Sequence, residues 1–304
     1  MIITRDRFIR DVCRLLGKNV KCDVLMADYT SLKIGGKPYA LCIVNKIEEL
    51  VLLIKMLKRY KRKYVILGAG TNVLINDKSI KEVVIKLDGD FKKYKFSSSG
   101  LTAGAGVLLP KLISESVRRG ISGFEPLAGI PGTVGGAVRM NAGTRLSEIS
   151  KIVSSVTVLD GNLKKHIINK DKIQFGYRKS IFAKKNWIIV HVKFSFKKGK
   201  IKKLKETMQN ILKMRLSTQP RGVHSAGCMF KNPKKNISAG KLIDSAGFKG
   251  FKIGNAQISP VHANFLINIG NAKFKEVIKL MKAVKSRIKD KFNIALTPEI
   301  IIWN

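Results

Sequence analysis

SGFEPLAGIPGTVGGAVRMNAG, residues 122–143, is the stretch whose reading decides what kind of chain this is. Five glycines, Gly123, Gly129, Gly132, Gly135 and Gly136, precede its closing Asn-Ala-Gly; Pro131 sits among them, and only Glu125 and Arg139 carry charge. Glycine at this density strips side chains from the backbone and permits positive φ, so neighbouring N–H groups can turn toward one bound anion. A solvated loop would carry Ser, Asp, Asn and Lys in these places. The competing reading is a glycine-rich turn packed against a neighbouring helix.

The flanking segments alternate strand and helix. Leu101 to Gly106 reads as a strand ending in glycine, and Pro110 opens a helix through Val117 that Gly120 terminates. Downstream, Asp160-Gly161 joins two strands as a hairpin. In WIIVHVKFSF the residues Ile188, Val190, Val192, Phe194 and Phe196 alternate as a half-buried strand. Upstream, NKIEELVLLIKMLKRYK reads as a helix capped by Asn45, with Glu48 completing a capping box. Tyr64 to Leu67 and Glu82 to Leu87 read as strands, so this half is a compact α/β arrangement. The last third predicts a helix from about Ile201 to Arg215, a short helix capped by Ser238 and ended by Gly247, and a strand in HANFLINIG. A long helix capped by Asn271 follows, then a closing strand, ALTPEIIIWN, whose single acid is Glu299.

A second glycine turn, GAGTNV, follows the Tyr64 to Leu67 strand. Gly68 and Gly70 match the first two positions of GxGxxG, but Val73 occupies the third, and LIND is a poor helix start. This argues against a Rossmann site, and the lysine of a Walker loop is absent. What remains is a tight turn whose Thr71 and Asn72 offer hydrogen bonds to an oxygen-rich ligand, or a turn with no ligand at all.

Composition sets outer bounds. The 304 residues suffice for two or three domains, and 45% are hydrophobic, a globular balance. No apolar run is long enough to cross a bilayer, which predicts no membrane partner. MIITRDRFIRDVCRLLG scatters charge through its apolar positions, so an amphipathic helix is expected rather than a signal peptide, and the expected compartment is the cytoplasm. The four cysteines form no CxxC pair and no cluster with histidine, against zinc or a disulfide framework; Cys13, Cys22 and Cys42 are expected to be small buried residues. The net charge of +39 fits either nucleic-acid binding or a Lys-rich composition. Lysines are spread over the whole length and aromatics reach only 7%, so composition is favoured and no nucleic-acid partner is expected. A basic field would still attract anionic substrates.

Taken together, YTSLKIGG, ILGAGTNVLI, GFEPLAGIPGTVGGAVRMNAG, FGYRKSIF, SAGCMFKNP, AGKLIDSAGFKG, ISPVHANFLIN and LTPEI resemble, in order, the motifs of the UDP-N-acetylenolpyruvoylglucosamine reductase family, MurB. They run from about residue 29 to residue 300. The resemblance implies an α+β protein with an FAD-binding fold of the p-cresol methylhydroxylase/vanillyl-alcohol oxidase type, built of two α/β subdomains, plus a C-terminal α+β substrate-binding domain. The implied layout is an N-terminal helical segment over 1–30, a flavin domain over 31–198 (subdomains about 31–90 and 91–198) and a substrate domain over 199–304. Gly68, Gly70, Thr71, Asn72 and Val73, together with Gly129, Ile130, Gly132, Thr133, Gly135 and Gly136, are then expected around the FAD diphosphate. The family reaction takes hydride from NADPH through FAD to the enolpyruvyl group of enolpyruvyl-UDP-GlcNAc, yielding UDP-N-acetylmuramate for peptidoglycan. A monomer is expected.

Hydride addition to an enolpyruvyl double bond throws negative charge onto the adjacent carbon and its carboxylate. Cations or donors at the carboxylate and an acid at the carbon lower that barrier. The resemblance places Arg178, in YRKS, at the substrate carboxylate, where its planar fork grips both oxygens. It places Cys228, in SAGCMFKNP, where the family's proton donor sits. That donor is commonly serine, and a thiol, with a reference pKa of about 8.5, is the easier acid. Glu299, in LTPEI, matches the family's glutamate near the reacting carbon. Tyr177 and Asn232 are expected in the substrate pocket, and His262 either at the substrate diphosphate or as a satisfied core histidine. With no inserted loop evident between Trp187 and Lys200, the chain resembles the type II branch. The competing readings are another oxidase or dehydrogenase on the same flavin fold, which would not need Arg178, Cys228 and Glu299 together, and a basic nucleic-acid-binding protein.

Overall fold

Among the described residues parallel pairing is confined to five short strands, and the remaining pairs are antiparallel. In the computed structural model, which describes residues 6–98, 100–185 and 187–304, the chain divides into two compact units. One comprises the described residues up to Cys22, Tyr39–Gly68 and Lys81–Lys213; the other comprises Asp23–Pro38, Ala69–Ile80 and Met214–Asn304. The chain therefore enters the second unit three times, and the last crossing falls inside the helix Ile201–Thr218.

The first unit holds two larger sheets and a two-stranded one, Lys197–Lys198 antiparallel to Ile121–Ser122. In one of the larger two, Val83–Leu87 lies between Ala40–Val44 and Tyr64–Ile66, both parallel to it, and Val20–Lys21 adds an antiparallel edge. The helices Arg7–Leu16 and Ile47–Arg59 bury Phe8, Val12, Leu50, Leu53 and Leu57 in one core with Ala40, Cys42, Val83 and Ile85. Asp6 caps the first helix, accepting from the N–H of Phe8 at 2.8 Å. The second is capped one residue later than the sequence suggests. Glu49, not Glu48, receives the N–H groups of Asn45 at 2.8 Å and Lys46 at 3.3 Å, because the helix begins at Ile47.

The other sheet runs Lys165–Asn169, Val153–Leu159, Ile188–Phe194, Gly100–Gly104 and Tyr94–Ser97, antiparallel throughout. Ile188–Phe194 departs from the simple alternation expected of it. The register steps from Ile189 opposite Val158 to His191 opposite Thr157, leaving Val190 as a bulge. A one-residue bulge exchanges the faces. Ile188 and Val190 accordingly pack with the first sheet's core, while Ile189, Val192 and Phe194 pack with Val156, Phe124 and Leu112. The Asp160-Gly161 hairpin forms, with a longer connection than a two-residue turn: the Asp160 N–H bonds to the Lys164 carbonyl, and Leu163 takes φ +65°.

In the second unit, His224–Cys228, Phe265–Asn268, Ala256–Ile258 and Lys252–Ile253 form an antiparallel sheet in that order. The helix Phe274–Phe292 lays Val277, Leu280, Met281, Val284 and Ile288 in one core with Phe230, Ile258 and Leu266. Asn271 does not cap it; the helix starts at Phe274, whose N–H donates to Asp77 Oδ2 at 2.9 Å, and Glu276 receives the Lys273 N–H at 2.9 Å. The closing strand Ile301–Trp303 pairs in parallel with Val73–Ile75. Of the three cysteines expected to be buried, only Cys42 is, and burial pushes its thiol up to about 12; Cys13 and Cys22 are exposed. No described helix is long and apolar enough to cross a membrane.

Candidate active site

The glycine-rich stretch builds a turn and then a short helix. Gly129 and Gly132 take φ of +79° and +125°, conformations that L side chains rarely adopt, and Thr133 caps the helix Val134–Arg139 by accepting the Gly136 N–H. Several of its amides serve the fold. The N–H of Val134 bonds to the Val107 carbonyl and that of Gly135 to the Ala105 carbonyl, each at 2.9 Å, and Ile130 N–H reaches the Leu127 carbonyl at 3.2 Å. A Cβ on Gly135 would stand 2.8 Å from Ala105 Cβ, so that glycine is there for close packing. The amides of Gly132 and Thr133 make no such bond among the described residues, which leaves them as the stretch's donors for an anion.

The other glycine turn starts against this one. A Cβ on Gly68 would lie 2.7 Å from Thr133 Oγ1, and the Gly68 carbonyl accepts from Lys86 Nζ at 2.6 Å. In the second unit Gly70 takes φ +69°, and a Cβ there would meet the Tyr29 carbonyl at 2.0 Å; its own carbonyl receives the Ser31 N–H at 3.0 Å. Thr71 is half-buried, and Val73 opens the strand paired with Ile301. Because Val73 starts a strand and not a helix, the Rossmann reading is excluded structurally. Bare backbone, glycine-only conformations, two spare amides and a lysine ammonium suit an anionic diphosphate, and the residues present fit the FAD that the sequence implies.

Arg178 occupies a tight turn in which Gly176 and Lys179 exchange main-chain bonds of 3.0 and 3.1 Å. Its φ is +51°, a conformation that costs an arginine about 1–2 kcal/mol. The turn is held by the tail of the glycine-rich stretch. Arg178 Nη2 donates to the Gly143 carbonyl at 3.0 Å, and Asn141 Nδ2 donates to the Gly176 carbonyl at 3.0 Å and to Glu148 Oε2 at 2.8 Å. Ser180 Oγ donates to the Arg139 carbonyl at 2.7 Å, while the Arg139 guanidinium reaches the carbonyls of Phe182 and Ala183. Burial lowers the Arg139 guanidinium from its ordinary value. The Arg178 guanidinium carbon lies 5.3 Å from the centre of the exposed Tyr177 ring. Arg139, Asn141 and Ser180 are the holders that sequence reasoning missed, although RMNAG and YRKS were both in view.

Cys228 ends a bulged strand in the second unit. Between Ser225 and Cys228 the register slips; Gly227 takes φ +78°, and Ser225 Oγ accepts the Gly227 N–H at 3.1 Å while donating to the Leu266 carbonyl at 2.7 Å. Bulges re-aim the side chain beside them, here Cys228, which is half-buried. The following residues are bracketed by buried Asn264, whose Oδ1 accepts the Phe230 N–H at 3.0 Å and whose Nδ2 donates to the Phe230 carbonyl at 2.8 Å. Glu299 is joined to this segment: its N–H donates to the Met229 carbonyl at 2.7 Å, and its carbonyl accepts from Asn72 Nδ2 at 3.1 Å. Glu299 therefore stands just before the closing strand rather than inside it, beside the neighbour of Cys228. Asn232 is exposed and its Oδ1 accepts the Ala239 N–H at 3.0 Å. His262 Nδ1 accepts the Asn264 N–H at 3.2 Å, which fixes that edge of the ring.

Comparison with known proteins agrees across nearly the whole chain. Residues 38–163 match a family model described as an FAD binding domain, and residues 219–303 one described as UDP-N-acetylenolpyruvoylglucosamine reductase, C-terminal domain. The chain is 39% identical over 277 residues to the UDP-N-acetylenolpyruvoylglucosamine reductase of Caldanaerobacter subterraneus subsp. tengcongensis, covering 91% of each. It is 35% identical to that of Alkaliphilus oremlandii, covering 93% of each. The crystal structure of UDP-N-acetylenolpyruvylglucosamine reductase (MurB) from Thermus caldophilus superposes with a TM-score of 0.81 at 37% identity, over 94% of this chain and 100% of that one. With an FAD-binding domain, full-length relatives above 30% identity and a shared fold, the chain belongs to the UDP-N-acetylenolpyruvoylglucosamine reductase family of flavin-dependent oxidoreductases.

Proposed function

We propose that the protein reduces enolpyruvyl-UDP-GlcNAc to UDP-N-acetylmuramate with NADPH as reductant, in peptidoglycan precursor synthesis. FAD, when bound, supplies the hydride chemistry between the two substrates. The turn residues Gly68, Gly70, Thr71, Asn72 and Val73, with Gly129, Ile130, Gly132, Thr133, Gly135 and Gly136, hold the cofactor; Gly132 and Thr133 donate main-chain N–H groups, while Gly135 acts by allowing close packing. Arg178 grips the enolpyruvyl carboxylate through its fork and stabilises the charge that collects there. The Cys228 thiol gives its proton to the carbon next to that carboxylate and regains one from solvent between turnovers. Glu299 provides a hydrogen bond or proton to the enolic oxygen. Tyr177, Asn232 and His262 line the substrate pocket.

The observation that carries this reading is the main-chain bond between Glu299 and Met229, which ties the acid to the residue next to Cys228 on a strand bulged to re-aim that thiol. The chain passes from Ile188–Phe194 to Lys197–Lys198 with no inserted loop, in keeping with the type II branch. For a flavin part over 31–198 and a substrate part over 199–304 the support is that each of the two family matches falls within one of them; the compact units cut across this division, since 31–38 and 69–80 group with 214–304. We place the protein in the cytoplasm as a monomer acting on small molecules only, which size-exclusion chromatography and cell fractionation test.

The decisive assay is NADPH oxidation by the purified yellow protein, with and without enolpyruvyl-UDP-GlcNAc. Oxidation that requires this compound supports the reading. A flavin-loaded protein indifferent to it would instead be another oxidase or dehydrogenase on this fold, and folded protein without flavin would defeat both.

A further inference from the structure

We propose that Lys86 is a positioning residue for the flavin: its ammonium holds the Gly68 carbonyl and so sets the glycine turn in the orientation that receives the cofactor's diphosphate. The proposal rests on the assignment of that turn to FAD.

Lys86 is the one charge in the strand Val83–Leu87, VVIKL, which is flanked on both sides by parallel strands. Open parallel sheets take their ligands at the carboxyl ends of such strands. Gly68 is brought to that end because Leu67 N–H donates to the Ile85 carbonyl at 2.9 Å, and Lys86 Nζ then reaches the Gly68 carbonyl at 2.6 Å. Thr133 closes the other side, since a Cβ on Gly68 would come within 2.7 Å of its Oγ1. Gly68 is thus held at its carbonyl by a cation, and Thr133 leaves no room for a side chain on its Cα. In a trans peptide the carbonyl and the following N–H point in opposite directions. Fixing the Gly68 oxygen toward Lys86 therefore aims the Ala69 N–H away from the strand, as a donor.

Burial is not free for this lysine. Desolvation lowers its ammonium from the ordinary lysine value, Lys92 acts in the same direction and Asp88 against it. A turn that only had to close could be held by main-chain bonds, and a strand with buried neighbours Val84 and Ile85 would accommodate an apolar residue at this place. A cation kept there at that cost adds positive charge beside a turn assigned to an anion.

The test titrates flavin-free protein with FAD, followed by quenching of flavin fluorescence, for the wild type, Lys86→Met and Lys86→Arg. Lys86→Met is expected to weaken FAD binding about tenfold or more, the scale of a lost charge-assisted hydrogen bond. Lys86→Arg should recover most of it, with all three flavin-free proteins melting alike. Wild-type affinity in Lys86→Met overturns the proposal, as does an equal loss in Lys86→Arg. If Lys86→Met does not fold, Lys86→Gln, which keeps a donor without the charge, takes its place: FAD binding weaker than that of Lys86→Arg supports the proposal and equal binding overturns it. A wild-type protein that bound no FAD would overturn the flavin assignment instead.

Discussion

Gly68 presses bare backbone against Thr133: a single added carbon would stand 2.7 Å from the threonine hydroxyl, closer than real Cβ atoms approach anything. Thr133 cannot yield freely, because the same oxygen caps the helix Val134–Arg139 through the Gly136 N–H. Gly68→Ala should therefore displace the threonine or the turn, costing about 1–3 kcal/mol of stability and weakening FAD binding about tenfold. Gly161→Ala, where nothing lies within 4 Å of the added carbon, should change neither. Thermal melts and FAD titrations of the two variants decide the matter; indistinguishable variants would contradict the contact.

Cys228 is assigned to one half of the reaction only. Cys228→Ala should lower turnover of the enolpyruvyl substrate about 10²-fold or more while NADPH reduces the flavin at nearly the normal rate. Cys228→Ser should keep part of the activity. Stopped-flow measurement of the two half-reactions separates the outcomes, and equal loss in both would point to disrupted folding.

Arg178 holds a backbone conformation suited to glycine. Arg178→Gly should abolish activity, while relief of the strained φ offsets part of what is lost with the side chain, the bond to Gly143 included. Arg178→Lys should also be damaging, since a point charge cannot replace the fork. Near-normal steady-state kinetics for Arg178→Lys would remove the arginine from the mechanism.

Asn264 satisfies both main-chain groups of buried Phe230. Asn264→Ala leaves them buried without that partner and should cost about 2–4 kcal/mol in urea unfolding. Activity should fall as well, because the Met229 carbonyl that anchors Glu299 adjoins the bracket. A loss below about 0.5 kcal/mol would show that water replaces the asparagine.

His191, half-buried beside Phe91, is held by desolvation below the ordinary histidine value of 6.5, with Lys165 acting in the same direction and Asp90 against. A lowered pKa in the folded state means that the unfolded chain takes up the proton first. The resulting stability is fully present above the ordinary value and is lost as pH falls from there through the folded value. Urea midpoints should fall between about pH 7.5 and pH 5.5 in the wild type, and this slope should shrink in His191→Gln. An unchanged slope would assign it to other groups.

Much was legible in the chain as written. The glycine turns, the hairpin at Asp160-Gly161, the short helix after Ser238 and the apolar face of the last helix are signals confined to a few consecutive residues, where local sterics and capping decide. What sequence reading misplaced depends on partners far along the chain. Asn271 looks like a cap until Asp77, 197 residues from the Phe274 N–H it receives, takes the place. Alternation through Val190 looks regular until the bulge exchanges the faces.

The same division runs through the site. Sequence by itself determined the residue types and their order: glycine where backbone must be bare, Arg178 in YRKS, Cys228 in SAGCMFKNP and Glu299 in LTPEI. Tertiary structure alone decided which glycine amides are already used, that Asn141 and Gly143 hold the Arg178 turn, and that Glu299 hangs from Met229. The physical reason is that a hydrogen bond is satisfied by proximity in space. A sequence lists donors and acceptors without saying which of them meet.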